Sequence, residues 1–274
     1  MGFQVAAAAV GVLSVGGAVW VGGKISANQR VWKPTGLLAT AFVLVWVVGH
    51  IFTDWSKHLL VWREYFLFDI APFFFCALLI LTIYVRICPK PTMRLGVATI
   101  GAVVGVYAIL HMGSGLFFHG VIDGLDDDRG LEPVLQTTGW SCGAAATATL
   151  LRLHGVPASE RQVARLAFSS PLSGTDDRGM CRAIEILGAS AGLETSLRGH
   201  VPCEDLEAMP LPCIVPYKLY TSVWHVAVLT CVEGDTVELE DPLMGQTRWT
   251  RADFVGKWTR EVLQVHRGPD GLDG

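Results

Sequence analysis

Cys142 opens an alanine-rich segment whose apolar spacing predicts a helix from Cys142 to about His154. Ser141, directly before it, is a residue type that caps helix N-termini, so Cys142 falls in the first turn. Unpaired backbone N–H groups and the helix dipole favour a thiolate there, and the thiolate is the nucleophilic form of cysteine. The pattern predicts a nucleophile at Cys142.

Gln136 lies six residues before Cys142, on the approach to the same helix. From there its side-chain amide can reach the point that the backbone N–H of Cys142 faces. Two such donors form an oxyanion hole, each worth about 3 kcal/mol in the transition state. A buried structural cysteine with an unrelated glutamine upstream is the competing interpretation of these two residues alone.

His225 begins an apolar strand, and Asp241 ends the next strand after a hairpin turn at Gly234. The start of one antiparallel strand lies beside the end of its partner, so we expect His225 and Asp241 to be neighbours. Asp241 would accept a hydrogen bond from Nδ1 of His225, leaving Nε2 to take the proton of Cys142. A core histidine and a turn-forming Asp-Pro are the competing interpretation.

The other histidines of this half of the chain are rival bases, but none precedes a hairpin that ends in Asp-Pro. We expect surface or packing roles for His154, His200 and His266.

The elements that must position these residues form an α+β domain over 131–268. Helices are predicted at 142–154, 159–167 and 178–191. They are followed by short β-rich runs at 193–197, 213–217, 224–231, 236–240, 247–250 and 262–266, with hairpin turns that predict an antiparallel sheet. The stretch 119–130, rich in Gly and Asp, has the composition of a solvated linker.

The segment from Gln136 through Cys142 to Ala145 resembles the catalytic opening of the bacteriocin-processing cysteine peptidases, which cleave double-glycine leaders and belong to the papain-like clan. Further pieces of 131–258 fit the same family, namely His154-Gly155-Val156, Ser173-Gly174-Thr175, the run from Trp224 to Leu229, Asp241-Pro242 with Gly245, and Phe254 with Trp258. The resemblance implies a papain-like fold in which Cys142 attacks, His225 is the base, Asp241 orients the base and Gln136 completes the oxyanion hole.

Two departures limit what the resemblance implies. Family members usually carry an acidic residue just before the nucleophile, where this chain has Ser141. The familiar members belong to ATP-driven exporters, whereas this sequence has no phosphate-binding Gly-Lys-Ser/Thr loop. Coupling of cleavage to export is therefore not implied, and any separate transporter partner stays unknown.

The first part of the chain is predicted to cross a lipid bilayer. Mean hydropathy is +0.43 and only 17% of residues are charged, which is too apolar for an ordinary soluble protein. Apolar segments at about 3–23, 35–52, 66–85 and 95–118 approach the roughly 20 residues that a spanning helix needs, so we expect a four-helix transmembrane bundle over 1–118. No Lys or Arg precedes the first segment, which favours a retained helix over a cleaved signal peptide.

Loop charges predict the orientation of this multi-pass region. Lys24, Arg30 and Lys33 lie in the first loop and Arg86, Lys90 and Arg94 in the third. These two loops are predicted to face the cytoplasm, which places the domain after residue 118 in the periplasm or outside the cell. Asp69 and His111 are polar residues within or at the edge of these segments, and a functional role is one interpretation of both. For Asp69 the alternative is a position at the outer membrane interface.

Composition excludes some classes of ligand. A net charge of −4 without a basic stripe argues against nucleic acid as a partner. No cysteine pair has zinc-ligand spacing, so we predict no structural metal, and the proposed chemistry needs no cofactor. Two interpretations stay open for Cys181, Cys203, Cys213 and Cys231, namely two disulfides or free buried thiols.

These observations predict a membrane-anchored cysteine peptidase that hydrolyses peptide bonds through an acyl-enzyme. Two alternatives keep part of the pattern. One is a peptidase-like domain that binds a peptide without cleaving it, and the other is an acyl transferase or amidase that shares the acyl-enzyme chemistry.

Overall fold

The computed structural model describes residues 2–48, 71–112, 118–128, 133–220 and 223–268. The chain divides into two compact units, Met1–Phe117 and Phe118–Gly274. Predicted features at Asp69, at the ends of the second, third and fourth apolar segments, and at the side chain of His111 lie outside the described residues.

The first unit contains helices α1 (Gly2–Ser26), α2 (Gln29–Val48), α3 (Ala71–Ile87) and α4 (Pro91–Met112). Its interior is built from small and aliphatic side chains such as Ala18, Leu78, Leu79 and Ile83. Gly22 lies against α3 so closely that an added Cβ would stand 2.9 Å from the side chain of Thr82. Large apolar side chains cover the outside as well, with Leu37 73% and Leu95 71% exposed.

One helical stretch of the described residues, Pro91–Leu110 in α4, is both long and apolar enough to cross a membrane. The apolar stretches Val12–Ser26, Val31–Val45 and Ala71–Ile87 are shorter. Helices therefore occupy the described parts of the four predicted segments, while the prediction that all four cross a bilayer stays a prediction.

The second unit begins with helices α5 (His119–Asp123), α6 (Cys142–Leu153), α7 (Glu160–Leu166) and α8 (Asp177–Leu187). Ser159 and Gln162 form a capping box at the start of α7, and the Asp176 carboxylate accepts from the backbone of Gly179 at the start of α8. These caps satisfy backbone donors that each helix leaves unpaired and so fix where it begins.

A six-stranded antiparallel sheet follows the helices. Its strands are β1 (Leu193–Arg198), β2 (Cys213–Tyr220), β3 (Val223–Glu233), β4 (Thr236–Asp241), β5 (Gly245–Thr250) and β6 (Val262–Arg267), in the order β1-β6-β2-β3-β4-β5. Helix α6 packs mainly against β3 and also contacts β2 and β4. The predicted α+β architecture is confirmed.

Helix α9 (Arg251–Lys257), between β5 and β6, was not predicted. Its start follows a capping pattern, because the Thr250 hydroxyl accepts from the backbone N–H of Asp253. Phe254 is fully buried and stacks on Trp258 with 5.6 Å between ring centroids. Phe254 is the one buried residue of this helix, which also contains Gly256, so the segment has no repeated apolar face for periodicity to reveal.

The acidic stretch predicted as a solvated linker is instead bound to the second unit along its described part. Ile122 and Leu125 are buried. The guanidinium of Arg161 donates to the backbone oxygen of Leu125, at 2.9 Å from Nε, and the Ser159 hydroxyl donates to Asp127 at 2.7 Å. The glycine and aspartate content indicated turns, but pairing with the basic residues of α7 is a tertiary contact that composition does not encode.

Candidate active site

Cys142 is the first residue of α6 and is only partly buried, whereas the alanines that follow it are fully buried. Gly143 is required by close packing, since a Cβ there would stand 2.8 Å from the Thr175 side chain and 3.3 Å from the Met180 sulfur. The helix is thereby pressed against the loop before α8 while the sulfur stays accessible.

Ser141 occupies the N-cap position of α6, as predicted, but its side chain does not cap the helix. Its hydroxyl contacts Thr138 three times, accepting from the backbone N–H at 3.1 Å and bonding the hydroxyl at 2.8 Å and the carbonyl at 3.1 Å. The fully buried Ser141 therefore closes the loop that leads to the nucleophile, and the first backbone N–H groups of α6 are left for another acceptor.

His225 lies between Cys142 and Asp241, is hydrogen-bonded to the carboxylate and interacts with the cysteine side chain. Nε2 of His225 stands 3.0 Å from Oδ1 of Asp241. Only 4% of His225 and none of Asp241 is exposed. The three side chains that the sequence singles out thus lie in one row, with His225 in the middle.

The prediction that Nδ1 faces Asp241 was wrong, because Nε2 does so. The strand register explains the difference. Val228 pairs with Glu240, so Asp241 lies one step beyond that pair and diagonal to His225. Its carboxylate meets the outer nitrogen of the ring, and Nδ1, the nitrogen next to the backbone, is left for Cys142.

Electrostatics favour a protonated His225. Burial by itself lowers the pKa of the imidazole, but its hydrogen bonds to Asp241 and Cys142 and the charges of both groups raise it to about 9. The pKa of Asp241 is lowered. Burial opposes this shift, and hydrogen bonds from His225, Tyr217 and the Leu243 backbone outweigh it.

Asp241 is held by the turn that follows β4. Its Oδ1 accepts the backbone N–H of Leu243 at 2.7 Å and that of Met244 at 3.2 Å, besides the histidine. An aspartate that accepts from its own following backbone is typical of such turns. The Asp-Pro pair therefore terminates the strand and aims the carboxylate with the same contacts.

Gln136 lies on the same approach to α6 but turns its amide toward its own loop. Nε2 donates to the carbonyl of Thr138 at 2.8 Å, and the backbone N–H of Gln136 donates to Pro242 at 2.8 Å. Oε1 is buried without a hydrogen-bond partner. Since Pro242 follows Asp241, these contacts tie the Gln136 loop to the strand end that carries the aspartate.

A cavity of about 360 Å³ opens over Cys142 and His225. One wall comes from the helical side, with Gly139, Trp140 and the loop 173–177, and the other from the sheet side, with Pro216, Trp224 and Glu261. Trp140 and Trp224 lie next to the predicted site residues in the sequence, whereas Glu261 had not been associated with the site because it lies far along the chain from Cys142 and His225. The cavity therefore gives access to the side chains of Cys142 and His225 from both walls.

His154 and His266, two of the alternative bases, do not line this cavity. His154 ends α6, and burial followed by the charge of Arg267 lowers the pKa of its imidazole. His266 faces Glu194 at 3.5 Å across β6 and β1.

All seven cysteines are free thiols, so the two disulfides considered for the second unit are not formed; of the four cysteines concerned, Cys181 and Cys213 are buried and Cys203 and Cys231 are partly buried. Burial raises the pKa of Cys213 to about 12 and that of Cys181 further still, so neither is suited to nucleophilic attack. Within the described parts of the chain, no group of three or more His, Cys, Asp or Glu residues is arranged to hold a metal ion.

Comparison with known proteins identifies the family. The model of the Peptidase C39 family matches residues 131–270. The chain is 34% identical over 137 residues to an uncharacterized protein of Methanothermobacter marburgensis, a match that covers 50% of this chain and 89% of that protein. It is 31% identical over 161 residues to the probable functional amyloid protease FapD of Pseudomonas aeruginosa, covering 56% of this chain and 68% of that protein.

The peptidase domain of Streptococcus ComA is among the solved structures that resemble the chain. It has a TM-score of 0.44 and 21% sequence identity, and the match covers 49% of this chain and 97% of that domain. The family match itself spans half of the 274 residues. The chain therefore belongs to the peptidase C39 family and is a cysteine peptidase.

Proposed function

We propose that the protein is a membrane-anchored peptidase that hydrolyses peptide bonds with Cys142 as nucleophile, His225 as acid and base, and Asp241 as the group that orients the histidine. The observation that carries the proposal is that His225 is hydrogen-bonded to Asp241 and interacts with Cys142, and that Cys142 and His225 line an open cavity. A thiol, an imidazole and a carboxylate in that order are the components of nucleophilic acyl transfer.

The proposed reaction uses the orientation of the His225 ring, in which Nε2 faces Asp241 and Nδ1 is left for Cys142. Nδ1 of His225 takes the proton of Cys142, and the sulfur attacks the carbonyl carbon of the substrate. The C–N bond then breaks, and the amine leaves with the proton from His225. In the second half, His225 removes a proton from water, the hydroxide attacks the thioester, and the acid product leaves as the thiol is regenerated.

The oxyanion of both tetrahedral intermediates would be bound by the backbone N–H of Cys142 and by the side-chain amide of Gln136. The Cys142 N–H belongs to the first turn of α6, where no intrahelical acceptor is available. The Gln136 amide uses one N–H on Thr138, and its second N–H is the one assigned to the oxyanion.

The substrate that we propose is a peptide segment of an exported or membrane-bound protein. Support comes from the related FapD, which is named as a probable functional amyloid protease, and from the apolar helices that precede the peptidase unit. We further propose that all four helical segments cross the bilayer and that the peptidase unit lies outside the cytoplasm, on the basis of the loop charges at Lys24, Lys33, Arg86, Lys90 and Arg94.

Alkylation tests the nucleophile. The full chain is treated with iodoacetamide at neutral pH, and modification of each cysteine is followed by peptide mass spectrometry. Cys142 should react fastest, and His225→Ala should slow it, while Cys203→Ala should leave the rate at Cys142 unchanged. Equal rates at Cys142 in wild type and His225→Ala would remove the assignment.

Product analysis tests the reaction. An internally quenched peptide library is incubated with the chain and with Cys142→Ala, and the products are identified by mass. New carboxyl and amino termini that depend on Cys142 indicate hydrolysis. Products joined to an added amine in place of a free carboxyl would instead indicate acyl transfer and would contradict the proposed hydrolysis.

Protease accessibility tests the orientation. In intact cells, added protease should degrade the peptidase unit while a cytoplasmic marker survives. Survival of both would reverse the proposed topology.

A further inference from the structure

Tyr217 is a buried phenol that the proposed reaction does not use. It lies on β2 directly opposite His225 on β3, and none of its surface is exposed. Its ring meets the His225 ring edge-on, with 5.3 Å between centroids, and meets Trp249 in the same manner at 5.2 Å. The phenol is therefore fixed in place between the histidine and the core of the sheet.

The hydroxyl of Tyr217 donates a hydrogen bond to Oδ2 of Asp241. The other carboxylate oxygen, Oδ1, accepts from His225 and from the backbone N–H groups of Leu243 and Met244. Among the described residues, Tyr217 alone donates a hydrogen bond to Oδ2. Because Asp241 is fully buried, loss of this donor would leave a charged oxygen without a partner, which is costly.

A carboxylate held at one oxygen can rotate about its Cβ–Cγ bond, whereas one held at both oxygens has a fixed plane. Oδ1 must stay in the plane of the imidazole to accept the Nε2 proton, and that contact keeps Nδ1 pointed toward Cys142. The Tyr217 hydroxyl supplies the second point of attachment. Three adjacent strands, β2, β3 and β4, thus each contribute one group to the same chain of contacts.

We propose that Tyr217 is a positioning residue of the peptidase site, which acts by holding Asp241 in the orientation that aims His225 at Cys142. The inference rests on the proposed function of these three residues. The phenol is suited to the task at every working pH. Burial first, and then the hydrogen bond and charge of Asp241 and the charge of Cys142, raise the pKa of Tyr217 far above its ordinary value. It therefore stays a donor.

The test replaces the hydroxyl and keeps the ring. In the full chain, Tyr217→Phe should lower the rate of Cys142 alkylation by iodoacetamide about tenfold, the effect expected for the loss of one hydrogen bond to a charged group. The matched control is Tyr220→Phe on the same strand, where the side chain is 70% exposed and the rate should not change. Thermal unfolding of each variant shows that folded protein is compared.

A spectroscopic signal separates positioning from general loosening of the fold. The Nε2 proton of His225, in its buried hydrogen bond to Asp241, should give a downfield NMR resonance that can be assigned by its loss in His225→Ala. This resonance should shift or broaden in Tyr217→Phe and stay unchanged in Tyr220→Phe. Folded Tyr217→Phe with the wild-type alkylation rate and the wild-type resonance would overturn the proposal.

A second substitution covers the case in which Tyr217→Phe does not fold. Site-specific 3-fluorotyrosine at position 217 keeps the shape of the ring and makes the phenol a stronger donor. It should shift the His225 resonance, and an unmoved resonance would overturn the proposal. The resonance can also be recorded in Cys142→Ala, so failure of Cys142 as nucleophile would be recognised separately from failure of Tyr217 as a positioning residue.

Discussion

His225 links the chemistry of the site to the stability of the fold. Its pKa of about 9 in the folded chain exceeds the value of about 6.5 expected in the unfolded chain. Protonation therefore favours folding. The contribution is complete below about pH 6.5 and is lost as pH rises through about 9.

We accordingly expect the melting temperature of the wild type to fall between pH 6.5 and pH 9, and to fall less in His225→Gln. Thermal unfolding measured in steps across this range gives the two slopes. Identical slopes would mean that His225 is not protonated preferentially in the folded state.

For Gln136 we expect substitution to have a different effect from substitution of Cys142, His225 or Asp241. If its amide binds the oxyanion, Gln136→Ala should lower kcat for peptide hydrolysis about 100-fold. Alkylation of Cys142 should change little, because that reaction forms no oxyanion. The exposed Gln246 provides the control substitution Gln246→Ala. A parallel loss of alkylation and hydrolysis would indicate that Gln136 only supports the loop.

At the scale of elements, the loop before α6 is fixed by a buried carboxylate on α7. Glu160 has no exposed surface. It accepts the backbone N–H of Thr137 at 2.9 Å and also the Thr137 hydroxyl. Its two oxygens thus connect a helix that takes no part in the chemistry to the segment between Gln136 and Cys142.

Glu160→Ala should lower the free energy of unfolding by about 1–3 kcal/mol, since it removes two hydrogen bonds to a buried carboxylate. It should also slow hydrolysis, because the Gln136 loop loses its anchor. Chemical denaturation and a hydrolysis assay measure the two effects. Glu204→Ala, at an exposed glutamate, should change neither, and a wild-type result for Glu160→Ala would contradict this account of the loop.

At the scale of the whole molecule, the two units differ in whether their large apolar side chains are buried or exposed. The second unit buries its large apolar residues, with Phe254, Leu229 and Leu239 fully covered. In the first unit, Leu13, Leu38 and Val103 are 72%, 71% and 63% exposed. An apolar exterior of this extent is suited to a lipid environment.

The full chain should therefore stay in the membrane pellet after carbonate extraction, because its apolar helices would be buried in lipid. A chain with residues 2–48 deleted should be retained less well, since it lacks α1 and α2. Fractionation followed by immunoblotting distinguishes the two. Release of the full chain by carbonate would contradict membrane anchoring.

The sequence by itself determined most of the second unit. Apolar periodicity and turn residues predicted the ends of α6 to within one residue and those of all six strands to within three residues, because apolar spacing and turn residues are local features of the sequence. It also predicted that Cys142, His225 and Asp241 would come together, since hairpin geometry makes His225 and Asp241 neighbours. The short helix α9 was missed for lack of periodicity.

Only the tertiary structure decided the contacts that depend on register and packing. It showed that Nε2 of His225 faces Asp241, because the diagonal register of β3 and β4 sets that distance. It placed Tyr217 against the same carboxylate and bound the acidic stretch 118–128 to α7. These contacts join residues far apart in the chain, and no local pattern of residue types specifies which of many compatible partners will meet.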